Sequence, residues 1–273
     1  SVTNMERMFY EARNFNQDIS DWDVSSVTNM ERMFYEARNF NQDISDWDVS
    51  SVTNMERMFY EARNFNQDLS DWDVSSVTDM SYMFSGGHGS YVYTSFNGDI
   101  SDWDVSSVTD MDGMFYQATS FNGDISNWDV SNVADMHWMF YNADDFNQNL
   151  LDWDVSNVID MNKMFFSADI FNQDLSDWDV SSVTDMEYMF AGTSFNQDIS
   201  DWDVSSVTNM LMMFASTSFN QDISDWDVSS VTNMYGMFND ADDLSDDNKC
   251  YIHNSFSSNE NWGYDWEEYC SDD

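Results

Sequence analysis

Apolar residues fall in fixed columns along this chain, and the columns recur every 24 or 25 residues. In one unit they are Ile44, Trp47, Val49 and Val52, then Met55, Met58 and Phe59, then Phe65, with Asn66 beside it. The tryptophan of the unit stands at Trp22, Trp47, Trp72, Trp103, Trp128, Trp153, Trp178, Trp202 and Trp226. A fixed period in this range marks a stacked array in which no single unit can bury its own apolar face. The expected fold class is a repeat solenoid of nine to ten coils over 1–238.

Two periodicities share each unit. Trp47 and Val49 alternate with Asp46, Asp48 and Ser50, which predicts one short strand per turn with the acidic residues facing out. The spacing Ile44-x-x-Trp47-x-Val49-x-x-Val52 follows the L-x-x-L-x-L-x-x pattern of leucine-rich repeats, with tryptophan in a leucine position. Met55, Met58 and Phe59 stand at i, i+3 and i+4, which predicts one short helix per turn. Thr53 and Glu56 have capping-box spacing, as do Thr3/Glu6, Thr28/Glu31 and Thr184/Glu187. Of 21 methionines, all but Met212 fall in two of the columns. That alignment assigns the Met and Trp columns to the core, rather than to a methionine groove or a sugar-stacking platform. An unbroken asparagine column, from Asn16 to Asn220, is expected to satisfy backbone groups at a bend.

Departures from the pattern locate features. Residues 1–25 and 26–50 are identical, and 51–75 differs only at Leu69. About six extra residues around Ser85-Gly86-Gly87-His88-Gly89-Ser90-Tyr91 enlarge one turn, as a contact loop or as a neutral insertion. After Phe238 the phrase dissolves. Residues 239–273 are expected to form a C-terminal cap in which Tyr251, Ile252, Phe256, Trp262 and Trp266 cover the last turn. Nothing comparable precedes Ser1, where the chain opens in mid-phrase as a processed or excised piece would.

Charge changes the picture most. There are 52 Asp and Glu against eight Lys and Arg, a formal charge of −44. Phosphate binding needs a basic footprint, so nucleic acid is an improbable partner, and anionic membrane surfaces are excluded on the same ground. No apolar stretch reaches the roughly 18–20 residues of a membrane span, so membrane insertion is not expected. Stacked turns would align the acidic residues in files. One is Asp23, Asp48, Asp73, Asp104, Asp129, Asp154, Asp179, Asp203 and Asp227. Its neighbour is Asp21, Asp46, Asp71, Asp102, Asp152, Asp177, Asp201 and Asp225, interrupted by Asn127. A third runs from Asp18 to Asp222, interrupted by Asn149. Repulsion summed along these files is comparable to the whole stability of a domain, so something must offset it. Screening by salt, a cationic partner, or Ca²⁺ held between the Asp21 and Asp23 files would each serve. No cofactor beyond such calcium is expected.

Cys250 and Cys270 both follow the last repeat. The reading is a structural disulfide of an oxidising compartment, with two free thiols as the alternative. All six arginines lie in the first three units, and Arg7, Arg32 and Arg57 are the expected assembly contacts with an acidic neighbour.

The elements W-D-V-S-x-V-T-x-M, the following M-F, and F-N-Q-D closely resemble the BspA-like leucine-rich-repeat surface proteins, with their bacterial-type surface repeat of about 26 residues. The resemblance covers residues 1–238. It implies a right-handed solenoid and an extracellular or cell-surface location, with adhesion in some members and no catalytic residues to carry over. The tail NKCYIHNSFSSNENWGYDWEEYC is similar to tails that follow such repeats in secreted proteins.

Catalysis is not expected: His88, His137 and His253 are isolated and no phosphate loop appears. The expected function is a non-catalytic extracellular structural protein, a subunit of a surface fibre or layer joined by self-association. The alternative is a cell-surface adhesin that binds proteins or glycans along its acidic face, with calcium as a possible requirement. An uncovered first unit exposes its Val, Met and Phe columns and should be covered by further repeats or by another subunit.

Overall fold

A computed structural model describes residues 1–89 and 92–270. Ser90 and Tyr91 of the insertion, and residues 271–273, lie outside the described residues. The chain is a repeat protein. Consecutive units pair through nine isolated parallel bridges along the column Asn4, Asn29, Asn54, Asp79, Asp110, Asp135, Asp160, Asp185, Asn209 and Asn233.

The helix and strand expected in each unit are absent among the described residues. Pairing falls where the helix was expected, and the stretch is a run of tight turns. In the second unit the amides of Met30, Arg32, Phe34 and Glu36 donate to the next unit at Asn54 O, Glu56 O, Met58 O and Tyr60 O (2.7–3.0 Å). The amides between them turn back: Met33 donates to Met30 O, Tyr35 to Arg32 O and Ala37 to Phe34 O. A helix would spend every amide inside its own segment. The alternation instead satisfies each donor while joining units, and the i, i+3, i+4 residues still fall on the inner side. It requires left-handed backbone at two positions in each unit but the one that carries the insertion, such as Arg32 (φ 54) and Glu36 (φ 52). Three later units place glycine there, at Gly113, Gly192 and Gly236.

The capping boxes are replaced as well. Asn29 Oδ1, not the threonine, accepts from Glu31 N (2.8 Å), and the Thr28 hydroxyl donates to Thr3 O of the preceding unit (3.2 Å). The Trp–Val segment alternates in burial without pairing as a strand. Trp47 N turns back to Ile44 O, and it is the indole that reaches the neighbouring unit. Trp47 Nε1 donates to Ile19 O (3.2 Å), Trp128 Nε1 to Ile100 O (3.1 Å) and Trp226 Nε1 to Ile199 O (3.1 Å). A buried indole N–H needs an acceptor, and each unit supplies the one its neighbour requires.

The core runs the length of the stack. From the second unit on, the Trp column is 2–4% exposed and the Met columns are fully buried. The asparagine column forms the expected ladder: Asn41 N donates to Asn16 Oδ1 (2.9 Å), Asn66 N to Asn41 Oδ1 (2.9 Å), and so on to Ser245 N on Asn220 Oδ1 (2.9 Å). That last rung sets the C-terminal segment in register, because Ser245 is also the N-cap of α1, Asp246–Phe256. Ile252 and Phe256 of α1 are buried. Trp262, Tyr264 and Trp266 pack on Phe238 of the last unit, with ring centroids 6.3, 6.1 and 5.6 Å away. Tyr251, expected in the cover, is 51% exposed. The Cys250–Cys270 disulfide ties α1 to the short 3-10 helix Glu267–Cys270. No helix among the described residues is long and apolar enough to cross a membrane.

Candidate functional site

The acidic files line one side of the stack and are exposed. They are not equivalent. In the Asp23 file each carboxylate is held by the serine two residues on: Asp48 Oδ1 accepts from Ser50 N (3.2 Å) and Ser50 Oγ (2.6 Å). The same arrangement recurs at Asp23–Ser25, Asp73–Ser75, Asp104–Ser106, Asp129–Ser131 and Asp154–Ser156. At Asp179, Asp203 and Asp227 the backbone bond is present (3.0–3.1 Å). The serine hydroxyl, then the amide, holds Asp23, Asp48, Asp104, Asp154, Asp203 and Asp227 below the usual carboxylate range. These carboxylates are fixed in their charged form by their own turns. The D-x-S spacing carried that signal in the sequence, where the files read as bare charges.

Carboxylates of the Asp21 file take no hydrogen bond or ion pair from another described residue. Asp46, Asp48, Asp71 and Asp73 border a groove of about 340 Å³ between the second and third units, floored by Trp47 and Val49. Among the described residues, no three His, Cys, Asp or Glu side chains are gathered tightly enough to hold one metal ion. The two files run side by side without forming a closed cation cage.

Arg7, Arg32 and Arg57 are engaged within the chain. Arg32 bridges Glu31 (2.6 Å) and Glu56 of the next unit (2.7 Å). Arg57 pairs with Glu56 (3.1 Å) and lies 4.8 Å over the Tyr82 ring. Arg7 is half-exposed, 3.6 Å from Glu6. Arg13 and Arg38 also work as rungs between units, to Glu36 (2.8 Å) and to Glu61 (2.9 Å). Arginine therefore neutralises the column Glu11, Glu36 and Glu61, which only the first three units carry.

The first unit presents the other candidate surface. Val2 is 52% and Met8 49% exposed, whereas Val27 and Met33, at the same positions of an identical sequence, are fully buried. Phe9, Phe15 and Trp22 are only partly buried. Among the described residues nothing donates to Asn4 O, Glu6 O, Met8 O or Tyr10 O, the acceptors that every later unit fills from its predecessor.

Sequence reasoning located the insertion but missed what it covers. Tyr60, Tyr82 and Tyr116 form a second buried cluster, flanked by Tyr35, Trp138 and Tyr141. Asp112 lies beside it, with Oδ1 3.0 Å from His137 Nδ1, and burial, then Asp135, pushes its carboxyl up to about 7. The signal was the tyrosine column Tyr10, Tyr35, Tyr60, Tyr116, Tyr141, broken at Ser85 where the insertion begins.

No curated protein and no solved structure matches the chain. One family model matches three times in tandem, over residues 1–91, 90–178 and 170–266. By those matches, which span nearly all of its length, the chain belongs to the family described as Mycoplasma protein of unknown function, DUF285.

Proposed function

We propose that the chain is a non-catalytic structural protein of the cell exterior, a subunit of a surface fibre or layer assembled through its repeat array. One observation carries this reading. Each unit offers its neighbour the same row of backbone donors and acceptors in its turn segment, so a unit of this kind is shaped to receive another unit, from the same chain or from another. The stack is read as a right-handed solenoid related to the BspA-like leucine-rich repeats, and the Cys250–Cys270 disulfide supports an oxidising, extracellular setting.

The far end shapes the mode of assembly. Trp262, Tyr264 and Trp266 lie over Phe238, so a second copy does not find a bare unit there. Negative-stain images of the concentrated protein are expected to show paired rods or filaments. Single rods at every concentration would contradict the reading.

A second reading rests on the groove between Asp46, Asp48, Asp71 and Asp73, a row of hard oxygen ligands for Ca²⁺ on an adhesive face. Millimolar Ca²⁺ should then raise the melting temperature above that given by sodium at equal ionic strength. Equal effects of the two ions would leave only screening.

A further inference from the structure

His88 lies within the inserted loop, and its ring stands among four aromatic side chains. The imidazole centroid is 5.3 Å from that of Tyr116, 5.8 Å from Tyr82, 6.0 Å from Trp138 and 6.2 Å from Tyr60. Ring centroids within about 6 Å on several sides describe the geometry in which aromatic faces hold a cation. We propose that this cluster is a binding site for an organic cation of the alkylammonium class, and that the His88 ring fills its place in the free protein.

The surroundings are built rather than incidental. Gly86 N donates to Tyr116 O (2.6 Å), and His88 N donates to the Tyr60 hydroxyl (3.0 Å), so the loop is bonded to two members of the cluster. A Cβ on Gly86 would collide with Val92 O, and one on Gly87 with the Glu61 carboxylate, so glycine lets the loop lie close. The net charge of −44 raises the local concentration of any cation. Tyr82 already engages one cation, Arg57, 4.8 Å from its centroid. The three tyrosines are buried, whereas His88 is exposed. Burial, then the Arg57 charge, holds the imidazole below its ordinary range.

Tetramethylammonium and its neutral isostere tert-butanol separate cation recognition from simple apolar contact. Proton NMR of the methyl groups should show a saturable upfield shift for tetramethylammonium, from the ring currents of the cluster, and none for tert-butanol. His88→Ala should tighten tetramethylammonium binding severalfold by removing the competing ring. Trp138→Leu should weaken it roughly tenfold, the scale of one desolvated cation–π contact. Melting curves establish that both variants fold, and His88→Ala, at an exposed position, carries the test if Trp138→Leu does not. Equal shifts for the two probes would overturn the proposal. So would a tetramethylammonium response that is the same in wild type and both variants, which is the behaviour of a cation drawn only to the acidic surface. No shift in either wild type or His88→Ala would overturn it too.

Discussion

At the scale of single residues, the stack sorts its carboxylates into two kinds. Those of the Asp18 and Asp23 files accept from the serine two residues on, and at Asp18 and Asp23 these bonds favour the charged form and lower the pKa. Asp112 is the opposite case, raised to about 7 chiefly by burial. A carboxyl raised on folding binds more protons folded than unfolded between its ordinary pKa of 3.8 and about 7, so its contribution to stability falls as pH rises through that window. Asp112→Asn removes the penalty. The variant should melt above wild type at pH 8 and close to it at pH 5, and a difference independent of pH would show that Asp112 is not the titrating group. Trp128 tests the core. It is 3% exposed and its indole donates to Ile100 O, so Trp128→Ala should cost about 3–5 kcal/mol by urea unfolding. Unchanged stability would place the Trp column on the surface.

At the scale of the element, the decisive contest is between a helix and a ladder of turns. Met30, Met33 and Phe34 have the spacing of a helical face, and nothing in that spacing alone separates the two outcomes. What tips the balance is the exact repetition of the unit, which gives each amide a partner in register one turn away. The Trp, Met and Asn columns were legible because burial and ladder bonding act on each position in every unit alike. The helix was misread because its pattern says which side chains point inward and not which carbonyl receives each amide. Glycines at Gly113, Gly192 and Gly236, unfavourable inside a helix, were the available warning. The Arg32–Glu56 pair was out of sight for a related reason: the partner is remote in sequence but adjacent once units stack. Ser216 discriminates the two structures. It is exposed with φ 55, and its amide donates to Asn239 O (2.7 Å). Ser216→Gly should raise stability by about 1 kcal/mol by relieving left-handed strain, whereas in a helix glycine would lower it. The sign of the change in melting midpoint decides.

At the scale of the whole molecule, the two ends differ. One is closed by α1, three aromatic rings and a disulfide; the other leaves Val2, Met8 and Tyr10 at 42–52% exposure. Opposing association is the charge of −44, which keeps copies apart until salt screens it. Association is therefore expected to strengthen with ionic strength, the reverse of contacts made through Arg7, Arg32 and Arg57. Light scattering across a concentration series in moderate salt tests the central claim most directly. The account predicts a mass that climbs from monomer toward dimer or beyond. A chain that remains monomeric at high concentration would contradict it.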